Sequence, residues 1–425
     1  MKHIGIVCPA LSGHLNPLVS LGKRLKSRGY RVSIVSLPDA EAHARAAGLG
    51  FVPTGAEEFP VGSMAKLTKT LSELPREKVL AYTIALFTDR ARVILESARQ
   101  AVANAGIDAL IVDQSSASGG SVADAEGIPF ITVSIGGPLN EEPDVPSIYT
   151  PWDYDPTDAG RERNAGAYAM LANALQPVMD VVNEYRRRWN LPHAETYSDL
   201  FSPEAQIMQM PAFLDFPRRA APPNFFYTGP FVDLARNDHL SFPFERLNEK
   251  PLVYASLGTL HSGLTSVFEA IAMACSDLDV QLVISLGNRD AADIPDLPGS
   301  PIVVPFAPQL EMLKRASLLI TSAGMNTTLE ALSLGIPMVA IPLDGDQPGI
   351  GSRIAHHGFG TVLDRSTLTA ENLRDSVINV LNEPRYREAA KTARQRIEQE
   401  NGLDRAADIV ERVVVAGRRK GALAR

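Results

Sequence analysis

Short apolar runs alternate with helical patterns along most of this chain. Ile4 to Val7 is a continuous apolar run and predicts a buried strand. The loop Pro9 to Leu15 follows. Asn16-Pro17 then predicts a helix start, with Asn16 as N-cap and Pro17 in the first helical position. Leu18, Leu21 and Leu25 mark that helix's buried face, and Gly29 ends it. Val32 to Val35 predicts the next strand. The alternation continues with a helix over 40–47, a long helical region over 76–103, a strand at Ala109–Val112, a helix over 119–125 and a strand at Pro129–Val133. Such repetition implies a parallel sheet covered by helices on both faces.

Residues 137–165 interrupt this rhythm. Five prolines from Pro138 to Pro156 stand there with Tyr149, Trp152 and Tyr154. A loop of that length and composition inside a domain is functional or covers something. A helix resumes over 167–189, and the Pro-, Asn- and Asp-rich stretch 216–250 reads as interdomain. A second alternating unit follows, with strands at Leu252–Ser256, Gln281–Ser285, Ile302–Val304, Leu318–Ile320 and Met338–Ile341. Helices at 266–274 and 327–334 lie among them, and later helices run to 415. The expected organisation is an N-terminal unit over 1–225, a linker over 226–250 and a second unit over 251–404. A helix and tail over 405–425 would pack back on the first unit. Two doubly wound units of this kind face each other across a cleft where the carboxyl ends of both sheets meet, and ligands belong there.

The 425-residue length agrees with two large domains, and 45% hydrophobic residues agree with full cores. A net charge of -8 gives no reason to expect a nucleic-acid partner. The tail Arg418, Arg419, Lys420 and Arg425 is basic, which fits a solvated end or a contact at the periphery of a membrane. Cys8 and Cys275 are the two cysteines, without a CxxC or Cys/His cluster, so a reducing cytosol and no structural zinc are expected. No signal peptide and no apolar run of membrane-spanning length is legible.

Two groups of residues carry candidate chemistry. His14 follows the first strand and Asp113 ends the strand at 109–112. Where those strands are neighbours, both side chains reach one sheet edge, and a His backed by an Asp is the arrangement of a general base. Spacing alone leaves open that His14 is a loop histidine and Asp113 a helix cap. Residues 9–17 lack the G-x-G-x-x-G spacing of a dinucleotide site, which argues against hydride transfer. In the second unit, Gly324-Met325-Asn326-Thr327-Thr328 follows a strand and opens a helix, a place suited to phosphate oxygens. Glu330 is one turn further, where a carboxylate could accept hydrogen bonds from a ribose diol. The alternative is an N-capping Asn326 and a surface Glu330. Ser256-Leu257-Gly258-Thr259 offers a second phosphate contact. Asp344-Gly345-Asp346 matches a short metal-binding pattern, but without a further acidic cluster Asp346 is read as a sugar-hydroxyl acceptor, with no metal.

In combination, Phe306-Ala307-Pro308-Gln309, Gly324-x-Asn326-Thr327-x-x-Glu330, Gly335-x-Pro337, Pro342 and Asp346-Gln347 resemble the donor signature of the family 1 UDP-dependent glycosyltransferases. The loop over 139–146, Thr150-Pro151-Trp152 and Asp346-Gln347-Pro348-Gly349 are similar to bacterial zeaxanthin glucosyltransferase-like members. The resemblance covers nearly the whole chain. It implies a GT-B fold of two facing Rossmann-like domains. It also implies inverting, metal-independent transfer of a sugar, glucose first among candidates, from a UDP-sugar to a hydroxyl of a lipophilic small molecule. His14 would be the base, oriented by Asp113. Phe306 would stack on uracil, with the Ala307 backbone on the base edge and Gln309 nearby. Glu330 would hold the ribose. Thr259, Ser322, Gly324, Met325, Asn326 and Thr327 would surround the diphosphate, Gly13 would also belong to the donor site, and Asp346 and Gln347 would bind the sugar. No cofactor beyond the UDP-sugar is implied. Phe59, Tyr82, Phe87, Tyr149 and Trp152 are acceptor-pocket candidates, or core packing.

Ser322 departs from the family, which usually has His there. A lost charge-assisted bond would weaken leaving-group stabilisation by on the order of 1–3 kcal/mol. Two further readings follow: a degenerate nucleotide-sugar-binding protein with little turnover, and a nucleotide-sugar epimerase.

Overall fold

The computed structural model describes residues 1–74, 76–236, 240–258, 264–287 and 296–417. Strands β1 (His3–Val7), β2 (Arg31–Ser36), β3 (Gly50–Pro53), β4 (Ala109–Asp113), β5 (Phe130–Ser134), β6 (Gln206–Met208) and β7 (Phe225–Tyr227) form one sheet, in the order β3-β2-β1-β4-β5-β6-β7. A second sheet, β10-β9-β8-β11-β12-β13, comprises β8 (Leu252–Ser256), β9 (Gln281–Ser285), β10 (Ile302–Val304), β11 (Ala316–Thr321), β12 (Met338–Ala340) and β13 (Gly360–Val362). Each strand pairing in both sheets is parallel. Continuous apolar runs such as Ile4–Val7 and Leu318–Ile320 are buried on both faces, which explains their lack of polar alternation.

Five helices matter for the site: α1 (Ser12–Ser27), α2 (Arg76–Val93), α3 (Asp158–Arg188), α4 (Met325–Leu334) and α5 (Gln347–His356). Helix α1 starts four residues before the predicted N-cap, so Pro17 lies inside it. A proline there is tolerated because only one intrahelical bond is lost, the one its nitrogen would give to the Gly13 carbonyl. Three further expectations change. A helix at Ser63–Glu73 precedes α2, and β7 runs two residues into the expected linker. The helix expected over 167–189 starts at Asp158, where the Thr157 side chain caps it. The three-residue strands β6, β7 and β13 are too short for their pattern to be read.

A last helix, α6 (Gly402–Ala416), returns to the first unit. Its Ala406, Ala407, Ile409, Val410 and Val414 join the core beneath β1 and α1. The buried Ile and Val side chains there contribute roughly 1.5–3 kcal/mol each, and the alanines less. Arg28 at the end of α1 fixes the helix laterally, meeting Asp404 and Asp408 at 2.6 Å and Glu411 at 2.9 Å. The expected basic tail, 418–425, lies outside the described residues.

The two units are also tied through the segment 210–218 and the loop between β5 and α3. Met210, Phe213 and Leu214 pack into the second unit's core, together with Ile148 from the loop. Asp215 is clamped between Arg218 at 2.8 Å and Arg353 of α5 at 2.7 Å. Burial alone would favour a protonated Asp215, but the two guanidinium groups outweigh it and hold the carboxyl well below the usual range. Arg218 also lies 3.6 Å from Glu142 of the loop. The Gly349 N–H, at the start of α5, donates to the Ile148 carbonyl at 3.1 Å.

Candidate active site

The register of β1 on β4, with Val7 opposite Val112, places the residues after both strands at one carboxyl edge. His14, in the first turn of α1, and Asp113, the last residue of β4, meet there, with Nδ1 and Oδ2 2.7 Å apart. The Asp113 side chain is 1% exposed and that of His14 is 27% exposed. The other carboxylate oxygen accepts from the Ser115 N–H at 2.9 Å and from its hydroxyl at 2.7 Å. Asp113 therefore both caps the short helix Gln114–Ser116 and holds the imidazole. Burial opposes the imidazolium, but the Asp113 carboxylate outweighs it and raises the pKa of His14. With Nδ1 engaged, Nε2 is the nitrogen left to face the cleft.

Across the cleft, α4 presents its N-terminus. Gly324 precedes it with extended backbone and open space around its Cα. The first N–H groups of a helix have no partner within it. Ala323, in the turn before it, has φ 62°, a left-handed conformation unusual for a side-chain-bearing residue. Asn326 crosses to the first unit, its Nδ2 donating to the Gly13 carbonyl at 2.5 Å. Thr327 is half-buried and its hydroxyl lies 3.4 Å from Gln309 Nε2. The Met325 side chain packs into the core, so its backbone alone can serve a ligand. Ser322 is buried, its hydroxyl facing the turn at Gly258. Thr259 lies outside the described residues.

Glu330 is buried, not a surface residue. One oxygen accepts from Gln309 Nε2 at 2.5 Å and the other pairs with Arg236 at 3.2 Å. Phe306 is 41% exposed, an aromatic face open to a planar ligand. The Ala307 N–H is taken by Ser285 Oγ at 3.3 Å, which leaves its carbonyl for a base edge. The Gln347 side-chain oxygen accepts from the Leu343 and Asp344 N–H groups at 2.9 and 3.3 Å, which leaves its NH₂ for a sugar. Asp346 lies against Gly136, where even a methyl group would collide with its carboxylate. Burial raises the pKa of Asp346, and His14 is among the groups it interacts with electrostatically. Among the described residues, no three His, Cys, Asp or Glu side chains gather as a metal-holding group.

The acceptor candidates separate. Tyr149 is 40% exposed and interacts electrostatically with both Asp346 and Asp113. Phe59 packs on the core beneath β1, and Phe87 packs against α3. Trp152 is covered by the Arg163 guanidinium, 4.8 Å from its ring centre. Those three make packing contacts and are partly buried. Tyr82 is half-buried on α2. Several site residues carry no sequence signal. Gln209 follows β6 and bonds Asn326 at 2.9 Å. Arg236 pairs with Glu330. Arg90 of α2 is buried and interacts electrostatically with Asp113, Cys8 and Tyr197. Each is a lone polar residue outside any short-range motif.

Two facing parallel-sheet units, with a His–Asp pair on one wall and a helix N-terminus on the other, form the GT-B fold of solved glycosyltransferase structures. Residues 190–424 match the family model "UDP-glucoronosyl and UDP-glucosyl transferase", and the chain belongs to this family of UDP-glycosyltransferases. It is 32% identical over 422 residues to the zeaxanthin glucosyltransferase of Pantoea ananas, covering 98% of this chain and 97% of that one. With the zeaxanthin glucosyltransferase of Pseudescherichia vulneris it shares 29% over 427 residues, covering 97% and 98%. The crystal structure of the glycotransferase of kitacinnamycin superposes with a TM-score of 0.76 at 25% identity, covering 97% of this chain and 98% of that chain. The protein is an enzyme of glycosyl transfer to small-molecule acceptors. No described helix is long and apolar enough to cross a membrane.

Proposed function

We propose that this enzyme moves glucose from UDP-glucose to a hydroxyl of a lipophilic small molecule, with inversion at the anomeric carbon and without a metal. The observation that carries this reading is the His14–Asp113 pair, 2.7 Å apart, on the cleft wall opposite α4. His14 Nε2 takes the acceptor's hydroxyl proton. The oxygen attacks the anomeric carbon as the bond to the diphosphate breaks, and UDP leaves with that electron pair. Asp113 fixes the imidazole tautomer and stabilises the imidazolium. The first N–H groups of α4 and the Asn326 amide meet charge as it grows on the diphosphate, which stabilises the transition state more than the bound donor. Phe306 stacks on uracil, Glu330 takes the ribose once Arg236 and Gln309 rearrange, and Asp346 and the Gln347 amide hold the sugar. Tyr149 lies where acceptor and sugar meet. A polyene alcohol like that named for the Pantoea relative is the first acceptor to test. The proposed setting is the cytosol.

The test is UDP release from UDP-glucose with hydroxylated acceptors, in EDTA, with products read by mass spectrometry. Acceptor-dependent release that persists in EDTA is expected. His14→Ala should cut turnover by about 10²–10⁴-fold and leave UDP binding nearly intact. Wild-type turnover in that variant would overturn the assignment of the base.

Ser322 favours a second reading, a binding protein with little turnover, because its buried hydroxyl brings no charge to the diphosphate. An inactive wild type that gains activity as Ser322→His would support it. A robust wild type would exclude it.

A further inference from the structure

The first turn of α1 contains a carbonyl with no intrahelical taker. The Leu11 carbonyl accepts from the His14 and Leu15 N–H groups, each at 2.9 Å. The Gly13 carbonyl would accept from residue 17, but Pro17 has no N–H to give. The Asn326 side chain fills the role from the other unit, Nδ2 to oxygen at 2.5 Å. Gly13 immediately precedes His14, so this bond grips the turn that carries the imidazole.

An asparagine amide can present either its oxygen or its NH₂ to a neighbour; the Gly13 carbonyl only accepts, and a donor on the opposite side locks the same orientation. Gln209 is 1% exposed, at the carboxyl edge of β6. Its Nε2 has two protons and two acceptors, the Ile135 carbonyl and Asn326 Oδ1, the latter at 2.9 Å. Gln209 thus arrives as a donor, and Asn326 must turn its oxygen towards it. The Asn326 NH₂ then has one proton on Gly13 and a second to spend, at the N-terminus of α4.

We propose that Gln209 is a positioning residue for the transfer: it orients the Asn326 amide so that one proton grips the turn bearing His14 and the other meets the donor diphosphate. One amide then spaces the base against the leaving group. This rests on the reading of α4 as the diphosphate site.

The test compares Gln209→Leu, Gln209→Glu and Asn326→Ala, with Gln209→Leu also made in the Asn326→Ala background. The probes are UDP-glucose with an acceptor that the wild type glucosylates, and UDP alone by calorimetry. Thermal melts establish folding. Gln209→Leu should lose about tenfold or more in kcat/KM for the donor. Gln209→Glu brings an acceptor where a donor is needed. It should lose more than Gln209→Leu, and the gap should narrow as pH falls and the carboxyl takes a proton. A space-filling role predicts the reverse order, since Glu has the shape of Gln. In the Asn326→Ala background, Gln209→Leu should cost less than about twofold.

The positioning role is overturned if Gln209→Glu is the milder variant, or if Gln209→Leu costs as much without Asn326 as with it. The side-chain amide resonance of Asn326, assigned through Asn326→Ala, should shift in ligand-free Gln209→Leu. An unmoved resonance would also overturn the role. That signal is independent of UDP-glucose turnover, so a wild type that neither binds UDP nor uses UDP-glucose would refute the functional reading alone.

Discussion

Arg353 and Asp215 meet across the two units at 2.7 Å, with both side chains wholly buried. Arg218 completes the clamp from the other side, and its guanidinium continues to Glu142 of the β5–α3 loop. Removing one member of such a chain leaves an uncompensated buried charge. Asp215→Ala is expected to lose about 3–5 kcal/mol of unfolding free energy. Urea denaturation checks this, and a loss under about 1 kcal/mol would show that the chain is not needed for stability. Asp215→Leu combined with Arg353→Met should recover part of the loss, since Arg353 is no longer stranded and Arg218 keeps Glu142 at 3.6 Å.

The pH dependence of turnover follows from the groups around His14. Asp113 at the end of β4 and Asp346 before α5 raise its pKa, while burial and Arg90 of α2 lower it; the net direction is upward. A base works when neutral, so kcat/KM should fall as pH drops through that raised value. Arg90→Met removes a cation that disfavours the imidazolium, and the acidic limb should move to higher pH. Asp113→Asn should move the limb the other way and also lower the plateau, because the tautomer is no longer fixed. A pH–rate profile of each variant, with the melting temperature as a folding control, decides it. An acidic limb unmoved in Arg90→Met would rule out electrostatic coupling to the base.

Pro17→Ala restores an N–H aimed at the Gly13 carbonyl. The helix should gain about 1 kcal/mol or more, because a better helix former replaces the proline and the missing bond can form. The restored donor competes with Asn326, so turnover should fall even as Tm rises. Differential scanning fluorimetry and steady-state kinetics separate the two effects. Unchanged kcat would show that the two bonds share the oxygen without conflict.

Glu330→Gln tests the ribose contact. It keeps the shape but weakens the pair with Arg236 and the bond from Gln309. The expected result is a rise of about tenfold or more in donor KM, with the acceptor KM little changed. Initial-rate kinetics with both substrates varied would detect the asymmetry, and equal shifts in both would count against the assignment.

The architecture was legible because buried parallel strands are written as unbroken apolar runs, such as Ile4–Val7 and Leu318–Ile320. The meeting of His14 with Asp113 follows from strand order, since both residues sit just past neighbouring strands. Other parts were hidden for physical reasons. Pro17 has the signature of a helix start, yet a proline also fits further in when its orphaned carbonyl finds another donor, and that donor is 313 residues away in sequence. Gln209 and Arg236 act through long-range contacts that no local pattern encodes. Phe59 and Phe87 were ambiguous because an aromatic in a helical or loop segment looks the same whether it faces a ligand or a core. Glu330 followed a motif, but its ion pair with Arg236 of the linker lies outside that motif.

The seat of the β5–α3 loop on α5 has a consequence for how this enzyme can diversify. Gly349 accepts no side chain, because the Ile148 carbonyl already fills that space. The loop that carries Tyr149, a proposed acceptor contact, is therefore moulded onto the helix that begins at Gln347, just after Asp346. On the proposed assignment, acceptor and sugar preference are not modular. A loop transplanted from a relative to change the alcohol would also displace Asp346 and Gln347, the proposed sugar contacts, unless its own α5 travelled with it.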